Sequence, residues 1–526
     1  MRIRLLRLIP RHGLPAAAVA ALSVAALGVL SLAAHAQAPD PLALQVRAWH
    51  RANALTVLTE FRDFLRLPNV ASDSVQIRRV ADSVVAMFTR RGARMRLLQS
   101  PGSPPAVYGE LNAPGATRTV MLYAHYDGQP VQPRDWTTAG PFTPELRDGH
   151  AERGGKVRSL EEAARLGAGA DEWRLYARSA SDDRGPIIMI LSALDALAAS
   201  GRRPAVNLKF FFEGEEEAGS VHLREMLTAH REQLRADAWL FFDGPRHQSG
   251  IPQVVHGVRG VMGLRLTTFG PSRPLHSGHY GNWAPNPALQ LTRVVSSMRD
   301  EEGTITIDGY YAQVKPITDD DRRAVAEAPS PDVGLRGELH LGRTEGDLPL
   351  GLAILRPGLN VTKLEGGTGT NAVMSSATAT IDMRLVPGQT PEGVRALVEA
   401  HLVKQGYFIA HETPDSATLR AHARVIQVDW AGGYAAQQTP LTHPLAREVF
   451  TLVSRATGGP VARVPILGGS LPLSVFDQVL QSQILTLPLV NYDNNQHAAN
   501  EHLRLRELWE GIEILAVVMT GLGGAR

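Results

Sequence analysis

His125 and Asp127, Ser181 to Asp183, Glu215 to Glu217, Asp243 and His497 are the residues of this chain whose types and spacing could do chemistry. Any one acid among them reads equally well as part of a solvated turn, since Asp and Gly favour turns. Together, two histidines and several carboxylates form a mixed nitrogen and oxygen donor set. Such a set suits zinc or manganese and holds too many ligands for one tetrahedral ion. Two cations sharing a carboxylate would use it economically. The chain has no cysteine, so no thiol can serve as nucleophile or ligand. A Ser-His-Asp mechanism is the rival hydrolytic chemistry, but there is no G-x-S-x-G elbow, and the serine of "LGGSLP" lacks the strand-to-helix turn that exposes such a nucleophile.

These clusters require elements that end where they stand. "TVMLYAHYDG", "VNLKFFFEGEEE", "AWLFFDG" and "QILTLPLVNYDNNQH" are short apolar runs closed by polar residues, the pattern of strands buried on both faces. Helical spacing marks "LQVRAWHRANALTVLTEFRDFLRLPNV", stopping at Pro68, then "GPIIMILSALDALAASG" and "RLRELWEGIEILAVVMTGL". Strands alternating with helices predict an α/β domain with a mostly parallel sheet and covering helices, which binds ligands outside the carboxyl ends of its strands. Residues 256–433 differ: "VMGLRLTTFG" and "ATATIDMRLVPG" alternate, and "TPEGVRALVEAHLVKQG" is amphipathic. This stretch reads as an α+β domain inserted between a first catalytic part, 37–255, and a second, 434–526. Segments 150–171 and 312–350 read as surface additions.

The 526 residues are 44% hydrophobic and 20% charged, an ordinary globular composition. The first 36 form a separate unit: four arginines, a long apolar run and "AHAQA" make a secretory leader cut after Ala36, with a retained membrane anchor as the alternative. Loss of those four arginines turns the formal charge of +2 into −2, and no basic tract remains for nucleic acid. The expected location is the periplasm or beyond, with membrane contact only through an uncleaved leader.

"AHYDGQPV", "ARSASDDRGP", "EGEEEAGS", "FFDG", "PLHSGHYG" and "NNQHAANE", in this order along nearly the whole mature chain, resemble the signature segments of the M20 metallopeptidases, close to their dipeptidase and carnosinase branch. The resemblance implies a ferredoxin-like fold for the lid, which also dimerises. It makes Asp182 the bridging ligand of two divalent ions, Zn²⁺ first and Mn²⁺ or Co²⁺ as alternatives. His125 and Asp243 would complete one metal site, and Glu217 and His497 the other. Asp127 would orient His125, the Asp182–Asp183 peptide would be cis, and Glu216 would activate the water between the metals as general base. His276 would reach the active site of a partner subunit in a homodimer. Arg384 and Asn371 would hold the substrate's carboxylate and carbonyl, while Gly469 and Ser470 touch its terminus. Glu215 is expected to be solvated or structural, and Gly214 to permit a tight exit from the strand.

The chain departs from the family's pattern at Ser179, usually glycine, at Arg184, usually lysine or asparagine, and at Ile466 and Leu467, where many relatives carry arginine and an acid. The expected activity is hydrolysis of dipeptides or short peptides with a free carboxylate. N-acyl-amino-acid amidohydrolysis is the second reading, and a non-catalytic metal- or peptide-binding homologue the third.

Overall fold

The phenylalanines at 210–212 show why the apolar runs become strands. Phe210 and Phe212 point to one face, where both meet Phe88 at centroid distances of 4.7 and 5.0 Å. Phe211 points to the other face, toward Trp239 at 5.7 Å. All three are fully buried, so the period-two geometry of a strand sends apolar side chains into two cores at once. The computed structural model describes residues 38–367 and 369–523, and the leader lies outside the described residues.

The central sheet has eight strands in the order Arg94–Leu98, Ala106–Leu111, Asn207–Glu213, Thr119–His125, Ala238–Phe241, Gln483–Thr486, Gln253–Val255 and Ala462–Val464. The four strands from Asn207–Glu213 to Gln483–Thr486 run parallel and end on the same side. The two strands beyond Asn207–Glu213 alternate antiparallel, and the opposite edge begins with an antiparallel step. Helices Pro41–Ala52, Arg184–Ala199 and Leu505–Gly521 cover the larger core, and Leu223–Ala229 with Leu473–Leu480 the smaller. The first helical stretch is two helices, Pro41–Ala52 and Ala54–Leu65, interrupted at Asn53.

Two expectations need correction. The Ser181–Asp183 cluster does not follow a strand of the central sheet. It lies after Arg174–Tyr176, which pairs with His502–Arg504 and Glu145–Arg147 in a separate four-stranded sheet, and it leads into the helix Arg184–Ala199. Segment 150–171 is likewise more than a surface addition. Its strand Val157–Arg158 extends that second sheet, and Leu160, Ala163 and Ala170 enter the main core.

The lid has its own sheet, ordered Gly358–Glu365, Ser376–Leu385, Gly260–Phe269, Val425–Tyr434 and Phe408–Ala410. Helices Pro287–Ser297 and Pro391–Lys404 follow the first and third of its long strands in sequence. Strand–helix–strand–strand–helix–strand with this order is the ferredoxin-like arrangement, here with one short extra edge strand. Alternating burial along Gly260–Phe269 and Ser376–Leu385 places Met262, Leu264, Ile381 and Met383 in the lid's separate core.

Candidate active site

Three of the clusters stand at the carboxyl ends of the parallel strands: His125 closes Thr119–His125, Glu215 to Glu217 follow Asn207–Glu213, and Asp243 follows Ala238–Phe241. His497 comes from the long loop after Gln483–Thr486, and Asp182 from the loop preceding Arg184–Ala199. The fold thus gathers residues far apart in sequence. His125, Asp182 and Asp243 present ligand atoms within 4.8 Å of one another, and so do Asp182, Glu217 and His497.

Asp182 belongs to both groups. Its Oδ1 lies 2.8 Å from His125 Nε2 and its Oδ2 3.1 Å from His497 Nε2. Asp182 Oδ2 is buried without a hydrogen-bond partner. Asp243 Oδ2 is 4.0 Å from His125 Nε2, and Glu217 Oε2 is 3.3 Å from His497 Nε2. A buried carboxylate with an unpaired oxygen, flanked by two imidazoles and two further acids, has the donor chemistry that two divalent cations require. The Asp182–Asp183 peptide is cis.

The electrostatics match a crowded anionic pocket. Burial, then Asp182, pushes Glu217 up to about 8 and Asp243 up to about 6. Burial opposes charge on His125, yet Asp127 and Asp182 raise its pKa well above the ordinary value. The Asp182 carboxylate, 3.1 Å from its Nε2, raises His497 to about 9. Glu216 is held well above the usual carboxylate range by burial and by Asp243, Glu217 and Asp127.

Asp127 is fully buried and does more than orient one imidazole. It lies 3.3 Å from His125 Nδ1, and it also accepts the backbone N–H groups of Glu216 at 3.2 Å and Glu217 at 3.0 Å. Gln129 Nε2 donates to Glu217 at 2.7 Å. Glu215 is structural: it accepts from the backbone N–H and Nδ1 of His222, at 3.2 and 2.8 Å. Gly214 stands in the bend that leaves the strand Asn207–Glu213, and a Cβ there would overlap the ring and hydroxyl of the buried Tyr126.

Sequence reasoning missed Glu501, although it sits inside the quoted "NNQHAANE". It is fully buried and accepts from the backbone N–H groups of Ser179, Ser181 and Asp182, the Ser181 hydroxyl and Arg178. The two departures nearby also find their partners. Ser179 has a φ of 62°, a region that favours glycine, and its backbone N–H is held by Glu501 while its Oγ accepts from Asn69 at 2.8 Å. Arg184 is fully buried, donates to Phe64 O and Leu67 O at 2.9 and 2.8 Å, and lies 4.7 Å over the Phe64 ring.

The residues assigned to substrate fall into two groups. Arg384 donates to Ser470 Oγ at 2.9 Å and to Asp382 at 2.8 Å, so the lid arginine meets the "GGS" turn within one chain. Arg259 secures that turn by donating to Gly468 O at 3.0 and 2.9 Å, and Gly469 is exposed. His276 and Asn371 are both exposed and bond to each other at 2.8 Å, rather than to the acidic cluster.

Residues 256–408 match the family model described as a peptidase dimerisation domain. Over 491 residues the chain is 26% identical to Cys-Gly metallodipeptidase dug1 of Schizosaccharomyces pombe, covering 87% of this chain and 93% of that one. It is also 26% identical, over 435 residues and 80% of each chain, to the Beta-Ala-His dipeptidase of Mus musculus. Among solved structures it is similar to the M20 family metallo-carboxypeptidase Sso-CP2 from Sulfolobus solfataricus. That match has a TM-score of 0.70 at 24% identity, over 88% of this chain and 98% of the other.

Proposed function

We propose that this chain, a member of the M20 metallopeptidase family, hydrolyses the amide bond of dipeptides or short peptides bearing a free carboxylate, with two divalent cations at its centre. The observation that carries this reading is Asp182, which turns one oxygen to His125 and the other to His497. His125, Asp182 and Asp243 would hold one cation, and Asp182, Glu217 and His497 the other. When bound, such ions polarise the scissile carbonyl and acidify water. Zinc fits this donor set first, and manganese or cobalt also suit it.

The chain's own residues supply the rest. Glu216 stands beside the ligands without belonging to either group, and burial among acidic neighbours raises its proton affinity, which suits a group that takes a proton from water and gives it to the leaving nitrogen. Asp127 fixes the base and the neighbouring ligand through their backbone N–H groups. Arg384, aimed by Asp382 and Ser470, offers its guanidinium to the substrate carboxylate. The exposed His276 and Asn371 on the lid serve the site of a second copy, and exposed Trp283 and Tyr280 beside them give a homodimer apolar surface to bury.

The test is hydrolysis of a dipeptide panel by the purified chain, after chelation and after Zn²⁺ or Mn²⁺ is restored. Activity that is lost and regained with metal is expected, and a metal-loaded protein that cleaves no dipeptide or acylated amino acid refutes the proposal. A monomer by light scattering with full activity would refute the dimer. The apolar Ile466 and Leu467 before the "GGS" turn favour the second reading, an N-acyl-amino-acid amidohydrolase, which N-acetyl amino acids in the same panel would reveal. The charged start, apolar run and A-x-A site of the leader support export, and a processed N-terminus beginning after Ala36 in the periplasmic fraction is the expected result.

A further inference from the structure

We propose that a cavity of about 460 Å³ behind the Gly468–Gly469 turn takes the apolar side chain of a substrate residue next to the scissile amide, and thereby sets the preference of the reaction. The inference rests on the reading above, that the chain is a metal-dependent amide hydrolase. The cavity exists because part of the 312–350 segment and the residues just after it leave the lid sheet and reach across to the catalytic domain. Helix Asp319–Glu327 packs on the edge strand Ala462–Val464, and Glu327 pairs with Arg463. Val325, Leu350 and Ile354 form the wall from the lid, and Ile466 and Leu467 the wall from the catalytic domain. The two residues that depart from the family's charged pattern are therefore cavity wall.

Two stretches of chain connect the cavity wall to the candidate site. Pro245, which lines it, follows the candidate ligand Asp243 by two residues, and a Cβ on the intervening Gly244 would lie 3.8 Å from Leu467 Cδ2. Gly468 and Gly469 line it as well, and the same turn continues into Ser470, which Arg384 grips. A Cβ at Gly468 would meet Ile354 Cδ1 at 3.2 Å, so the lid wall rests on the turn.

Its chemistry selects against a charged amine. Asp332 is the sole carboxylate lining it among the described residues, and both of its oxygens already face the Leu350 backbone N–H, at 3.2 and 3.4 Å. Arg246, Arg322 and Arg463 also lie on its border. An ammonium placed there would be desolvated with no free anion beside it, whereas an aliphatic or aromatic group gains by leaving water. Cavities of this size and lining are the usual form of a small-molecule subsite.

The test compares kcat/KM of the metal-loaded chain for glycylglycine, glycylleucine, leucylglycine and N-octanoylglycine. At least one apolar substrate is expected to exceed glycylglycine by roughly tenfold or more. Which of the last three gains shows whether the group enters from the carboxylate side, the amino side or as an acyl chain. Leu350→Trp, which fills the cavity with an apolar ring, should bring that ratio to within about twofold of one and leave glycylglycine turnover unchanged. Ile354→Asp should do the same by planting a carboxylate. Equal rates for all four substrates in the wild type, or a preference that survives both substitutions, would overturn the proposal. If no amide were cleaved, the functional reading would fail instead, and calorimetry with 4-methylpentanoate would still decide the cavity. Binding abolished by Leu350→Trp supports it, and absent or unaltered binding overturns it.

Discussion

Removing the Glu501 carboxylate should damage the fold and the proposed metal centre together. This fully buried side chain takes five hydrogen bonds: Arg178 at 2.8 Å, the Ser179, Ser181 and Asp182 backbone N–H groups at 2.9, 3.0 and 2.9 Å, and the Ser181 hydroxyl at 2.9 Å. In Glu501→Ala the Arg178 guanidinium, itself 3% exposed, is stranded without its anion, a loss of about 3–5 kcal/mol for a broken buried pair. Each orphaned backbone N–H adds about 1–3 kcal/mol unless water enters the space. A loss of at least about 4 kcal/mol is therefore expected. Glu501→Gln keeps the shape and one acceptor oxygen but points an NH₂ at donors on one side, so its loss should be smaller, about 2–3 kcal/mol. Because Asp182 N–H hangs from this carboxylate, both variants should also retain less metal. Urea unfolding at unchanged m value gives the first quantity, and metal analysis after gel filtration the second. A Glu501→Ala protein within about 1 kcal/mol of the parent and with full metal content would refute the reasoning.

Three further outcomes are expected. Glu216→Gln should lower kcat by about 10²–10⁴-fold while metal content is kept, since the side chain belongs to neither ligand group; a parallel loss of metal would reassign it as a ligand. Glu213, pushed up to about 7 by burial, keeps its proton in the folded chain at pH values where the unfolded chain, near 4.5, has lost it. The metal-free protein should therefore lose roughly 3 kcal/mol as pH rises from about 4.5 through 7, and Glu213→Gln should flatten that slope in denaturant titrations. Gly214→Ala should destabilise by about 1–3 kcal/mol, measured by the shift in urea midpoint, because the fully buried Tyr126 hydroxyl occupies the space a methyl would need and donates to Pro105 O.

How much of this was legible in the sequence depended on range. Phe210 to Phe212 announce a strand packed on both faces, because a continuous apolar run has few other uses at that length. The acids after the strands were legible as a group, since strand ends in parallel sheets converge in space. The origin of Asp182 was not, because Arg174–Tyr176 looks locally like any other short strand, and its sheet is defined by pairing with His502–Arg504 more than 300 residues away. Glu501 escaped for a related reason. A lone glutamate after asparagine carries no local signal, and its role comes from the loop at 178–182 that the fold lays over it. The exit at Gly214 was legible, since a glycine before three acids looks like a turn, but the close approach of Tyr126, 88 positions earlier in the chain, was not.

Asp127 and Glu501 divide the work of positioning between them, and neither belongs to the two candidate ligand groups. Each spends its oxygens on backbone N–H groups: Asp127 on those of Glu216 and Glu217, Glu501 on those of Ser179, Ser181 and Asp182. A backbone N–H cannot swing as a side chain can, so each bond fixes where the following Cα–Cβ vector points. Asp127 in this way aims the proposed base and one candidate ligand, Glu217, and Glu501 aims Asp182, the residue common to both candidate groups. Carboxylates suit the task because a charged acceptor makes a stronger bond to N–H than a neutral one. Two buried anions next to an acidic pocket would be costly by themselves. Arg178 offsets one and His125 the other, and His125 is also the residue through which the Asp127 side of the site reaches Asp182. The carboxylates of the site are thus interleaved with two imidazoles, His125 and His497, and tied from behind by Asp127 and Glu501 through backbone N–H groups, which is how so many acids stand within a few ångströms of one another.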